Sequence, residues 1–77
     1  MREFHIALRS LQQVKEFVTL AMVQPFEIMV GNARQSINGK DLMGMFCLDH
    51  SSPLRVQVNC SEEEYNSFHT SANRFLA

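Results

Sequence analysis

Ile37-Asn38-Gly39-Lys40-Asp41-Leu42-Met43-Gly44-Met45-Phe46-Cys47-Leu48 is the stretch on which the reading of this chain turns. It reads as the end of a strand, a turn at Asn38-Gly39, a polar helix start, and a short helix over about residues 41–48 with almost no polar face. Between Leu42 and Leu48 only Gly44 lacks an apolar side chain. A two-turn helix lying on a sheet buries about half its circumference, so the remainder faces water or a partner. By three- and four-residue spacing, Leu42, Met43 and Phe46 share one side and Met45 and Leu48 the other. The second pair is assigned to the core. The first is a candidate docking patch.

Working outward, the preceding segment alternates. Phe26, Ile28 and Val30 point one way, and Gly31-Asn32 then signals a hairpin whose polar return strand, about residues 33–37, belongs at a sheet edge. Further back, Phe4, Ile6 and Leu8 alternate with His5 and Ala7, which predicts a half-buried strand over about residues 2–8. Ser10-Leu11-Gln12-Gln13 has the form of a capping box, and Leu11, Val14, Val18 and Ala21 follow as an apolar stripe to about Met22. Downstream, Ser51-Ser52-Pro53 is a loop, and Leu54, Val56 and Val58 alternate with Arg55, Gln57 and Asn59. A second capping box, Ser61-Glu62-Glu63-Glu64, opens a last helix whose inward stripe is Tyr65, Phe68, Ala72 and Phe75. The order is strand-helix-strand-strand-helix-strand-helix. With alternating strands and one-faced helices, the simplest packing is an α+β layer of helices on one side of an antiparallel sheet.

The 77 residues make one domain, residues 1–77, with no linker, repeat or low-complexity tract. A hydrophobic content of 45% with 19% charged residues argues against disorder. The net charge of -1, without a basic run, gives no electrostatic case for nucleic acid. No apolar stretch approaches the roughly 20 residues that span a bilayer, and the start of the chain lacks a signal-peptide layout. Cys47 and Cys60 have no CxxC spacing and read as reduced thiols of a cytoplasmic protein. His5 falls on the outward side of its strand, His50 lies in a loop beside Asp49, and His69 sits one turn beyond Tyr65. None has a metal-ligand spacing, and surface or partly packed histidine is the reading for all three.

From Asn38 to Leu48 the chain resembles the regulatory-serine helix of HPr, the histidine phosphocarrier of the bacterial sugar phosphotransferase system. That pattern is roughly Asn-Gly-Lys-Ser-Ile-Met-Gly-Val-Met-Ser-Leu. The element order extends the resemblance over nearly the whole chain. It implies an HPr-like open-faced sandwich, β-α-β-β-α-β-α, with a four-stranded antiparallel sheet in the order 1-4-2-3 and three helices on one face. Asp41 stands at the position of the regulatory serine. An ungapped alignment back through the hairpin sets Ser10-Leu11-Gln12-Gln13 opposite the family's active-site His-x-Arg-Pro, so Ser10, Gln12 and Gln13 form a degenerate phosphohistidine site. In the family, the residues matching Leu42, Met43 and Phe46 dock onto enzyme I, the sugar-specific A components, the kinase and a transcriptional regulator.

Each of these positions also has a plain structural reading. Ser10 and Gln13 are standard caps, and that reading is preferred for them. Asp41 in a first helical turn caps amides and favours the dipole, contributing about 0.3–1 kcal/mol, and this too is preferred over imitation of phosphoserine. For the apolar patch the docking reading is preferred to a sheet-covering stripe. Together these imply an HPr-like protein that is not an enzyme, takes no cofactor or metal, and is incompetent for histidine phosphotransfer. It acts in the bacterial cytoplasm as a small regulatory or protein-docking module, and its partners are phosphotransferase-system components or a transcriptional regulator. A catabolite-repression branch of the family also lacks the histidine but keeps the serine, which Asp41 replaces here. The alternatives are a phosphocarrier with an unconventional acceptor, His5 or His50, and a fold relic unconnected with sugar transport.

Overall fold

In the computed structural model, which describes residues 1–77, alternation and capping turn into eight short elements. Strand β1 spans Arg2–Ile6, helix α1 Leu11–Met22, β2 Ile28–Gly31, β3 Ser36–Asn38, α2 Leu42–Cys47, β4 Leu54–Val58 and α3 Glu62–Ser71. A 3-10 turn over Asn73–Phe75 follows. The four strands form one antiparallel sheet in the order β1-β4-β2-β3. This is the expected α+β architecture and strand order.

Register explains which face is covered. Phe4 pairs with Val56 and Val56 with Val30, while Ile6 pairs with Leu54 and Ile28 with Val58. Cross-strand partners share a face, so one period-2 set lands wholly under the helices. These residues join Val14, Phe17, Val18, Ala21, Met45, Leu48, Phe68, Ala72 and Phe75 in a core of 18 buried residues. No polar or charged residue is buried. Phe68 sits at the aromatic centre, with ring centroids 5.7 Å from Phe4, 5.8 Å from Phe26 and 6.2 Å from Phe17. The edge-on pairs with Phe4 and Phe26 add to area burial because ring edges and faces carry opposite partial charge.

The α1 stripe differs from expectation at both the first position and one position left out. Leu11 is 67% exposed, whereas Phe17 is completely buried. Leu11 is the first residue after the cap and lies beyond the end of the sheet-facing stripe, which runs through Val14, Phe17, Val18 and Ala21. Strand β1 stops at Ile6 rather than residue 8, although Leu8 is buried. The amide of Ala7 instead donates to the Phe75 carbonyl at 2.7 Å, and Ala77 donates to His5 at 3.1 Å. The end of the chain therefore covers part of the β1 edge.

The return strand is shorter than residues 33–37. The Asn32 side-chain oxygen accepts from the amides of Arg34 and Gln35 at 2.8 and 3.0 Å, which spends those residues on the turn. Strand β3 is at the edge of the sheet, as its polarity predicts. The last helix also ends early. After Ser71 the chain tightens into the 3-10 turn that delivers Phe75 to the core.

Gly39 allows the step from β3 toward α2. Its amide donates to the Ile28 carbonyl at 2.7 Å, and a β carbon there would stand 2.9 Å from Ile28 Cγ2. No side chain fits that approach without movement.

Candidate docking surface

Helix α1 begins with a working cap. Ser10 is extended, and its Oγ accepts from the Gln13 amide at 3.1 Å. The reciprocal bond reaches one residue further back than in a standard box: Gln13 Oε1 accepts from the Arg9 amide at 2.7 Å. Gln12 points along the helix to Glu16, 3.3 Å away. Ser10, Gln12 and Gln13 are thus brought together at a helix N-terminus, and each already has a local partner. By contrast, Ser61 and Glu64 complete both bonds of the second box, at 3.1 and 3.0 Å.

Helix α2 touches both α1 and β3. Met45 and Leu48 are buried as assigned. The three patch residues separate. Met43 is 72% exposed and Leu42 37% exposed, but Phe46 is only partly exposed and packs against the core. A six-residue helix with neighbours on two sides leaves a narrow strip outward, and Phe46 falls at its border. Gly44 helps this close seating, since a β carbon there would stand 3.2 Å from Ile37 Cδ1. Leu11 and Met22 on α1 and Val23 at its C-cap add further exposed apolar side chains.

Asp41 is the N-cap of α2 and is exposed, but its side chain makes no capping bond. The expected cap is corrected here: the helix start is closed through the backbone, with the Met45 amide donating to the Asp41 carbonyl at 2.9 Å. The carboxylate is left free. Two neighbours that spacing alone does not mark hold the helix ends. Lys40 Nζ donates to the Gln24 carbonyl at 2.7 Å, just past the end of α1. His50 Nε2 lies 2.8 Å from the Met45 carbonyl, and since a carbonyl only accepts, that nitrogen carries the proton.

His5 is exposed on the strand face away from the helices, and His69 stands edge-on to Phe4 with centroids 5.0 Å apart. No three His, Cys, Asp or Glu side chains are grouped to hold a metal ion. No helix is long and apolar enough to cross a membrane. Ser51 holds the Asp49 carboxyl below its ordinary range through side-chain and backbone hydrogen bonds, aided by the nearby charges of His50 and Arg34. Asp49, Cys47 and Arg34 line a shallow groove of about 490 Å³ between the β2–β3 turn and the end of α2. Both cysteines are free; Cys47 is exposed, and partial burial pushes the Cys60 thiol up, with the Glu64 charge adding to the effect.

The fold has a solved counterpart. The crystal structure of HPr-C-His from Thermoanaerobacter tengcongensis superposes with a TM-score of 0.73, covering 94% of this chain and 90% of that one. Sequence identity is 19%, so what the two share is the fold. No protein-family model matches the sequence, and no curated protein does.

Proposed function

We propose that this chain is an HPr-like protein related to the sugar phosphotransferase system, a cytoplasmic docking module that does not carry phosphohistidine. The observation that carries this reading is the α1 N-terminus. On the HPr alignment the phosphorylated histidine and its arginine correspond to Ser10 and Gln12, and the local hydrogen bonds there are those of a cap. Phosphoryl relay needs a nucleophile whose phosphorylated form is labile, with a cation to steady the anion. A serine ester is stable, and Ser10 has no adjacent general base.

Docking is supported by Met43 and Leu42, large apolar side chains exposed on a helix whose other face is seated through Met45. Methionine and aromatic side chains are among the residues enriched at interface centres, which favours Met43 with Phe46 at its border. The free Asp41 carboxylate supports a regulatory role as well: it is a fixed single charge where the family carries a serine, against about -1.5 to -2 for phosphoserine. The partners proposed are phosphotransferase-system proteins or a transcriptional regulator.

The test is incubation with purified enzyme I and labelled phosphoenolpyruvate. The protein should stay unlabelled while a standard HPr in the same tube is labelled. Stoichiometric, acid-labile label on His5 or His50 would replace this reading with an unconventional phosphocarrier.

A further inference from the structure

Helix α2 carries the docking residues and is anchored by Met45 in the core, yet its two ends have little of their own to hold them. Six residues are too few for a helix to persist alone, and Gly44 weakens it further. Its N-cap side chain makes no bond. Its ends are tied from outside instead. At the start, Lys40 Nζ donates to the Gln24 carbonyl at 2.7 Å, at the negative end of the α1 dipole where a cation is favoured. The Lys40 amide is itself fixed by Asn38 Oδ1 at 2.9 Å. At the other end, His50 donates to the Met45 carbonyl at 2.8 Å. Both contacts are half-buried, where water competes less and a hydrogen bond is electrostatically stronger.

We infer that Lys40 and His50 are two straps that hold α2 in the pose presenting Leu42 and Met43. The inference rests on the docking reading for its purpose but not for its geometry. Neither strap belongs to the apolar patch, so beyond the burial of Met45 the pose of the helix ends depends on side chains that a partner need not touch. Loosening either strap lets α2 open locally while the sheet stays intact. A partner must then pay to order the helix before binding it.

Amide hydrogen exchange on the full chain tests this without any partner. The reporter is the Met45 amide, bonded to the Asp41 carbonyl at 2.9 Å, and the reference is the set of β4 ladder amides. Lys40→Met keeps the aliphatic stem and removes the donor; His50→Phe does the same for the ring. Each should speed Met45 exchange about tenfold, the loss expected for one shielded hydrogen bond, with β4 unchanged. Lys40→Arg should restore protection. Lys40→Leu, which also lacks a donor, stands behind Lys40→Met should that variant not fold. Unchanged Met45 exchange, or equal acceleration in α2 and β4, overturns the inference. Titrating Met43→Asp against enzyme I tests docking separately: loose straps with no effect at Met43 would keep the straps and remove the docking surface.

Discussion

Phe46 and Met43 sit three residues apart on one short helix, yet the fold treats them differently. Met43→Ser should change stability by no more than about 0.5 kcal/mol, as surface substitutions do. Phe46→Ala should cost about 1–3 kcal/mol, less than the about 3–5 kcal/mol expected for the fully buried Phe68→Ala. Thermal unfolding of the three variants ranks them. Equal losses at Met43 and Phe68 would place Met43 in the core and remove the ground for docking. The thiols give an independent check on α2. Native alkylation should modify exposed Cys47 well before Cys60, whose thiolate is disfavoured; the reverse order would mean that the end of α2 is covered. Asp49 sets a pH dependence. Its folded pKa is depressed, so its contribution to stability is present above the unfolded value and fades as pH falls through the folded one. Ser51→Ala should raise the Asp49 midpoint toward the ordinary value in a carboxyl NMR titration.

At the level of elements, caps and strand faces were the most legible part of the sequence. Ser61 and Glu64 form the box their spacing predicts, and Ser61→Ala should cost about 1 kcal/mol in denaturant unfolding. Val56→Asp should cost several kcal/mol, because it buries an unpaired charge beneath the helices. Gln57→Lys, on the opposite face, should stay within about 0.5 kcal/mol. Equal tolerance would mean the strand-face assignment is wrong. Boundaries were less legible for identifiable reasons. Periodicity cannot tell whether Leu11, at the first turn of α1, still overlies the sheet. The Asn32 side-chain bonds that shorten β3 leave no hydrophobic trace, and neither does the tightening after Ser71. Asp41 looked like a cap because of its residue type and position, and only geometry shows that its side chain makes no bond.

For the whole molecule, period-2 strands and one-sided helices predict an open layer of helices on an antiparallel sheet, but they do not fix strand order. The order β1-β4-β2-β3 came from the likeness of residues 38–48 to the HPr helix, and the structure has it. The candidate site was legible only in part. Met43 and Leu42 are where spacing puts them, whereas Lys40 and His50 act through contacts with Gln24 and Met45 that no linear pattern reveals. The proposed function joins two properties, docking through α2 and the lack of phosphate relay. The most direct measurement is an NMR titration of the isotope-labelled protein with enzyme I in the presence of phosphoenolpyruvate. Saturable shifts centred on Leu42, Met43 and their neighbours, with no phosphohistidine signal, are expected. Absence of binding, shifts centred away from α2, or phosphate on His5 or His50 would contradict the proposed function.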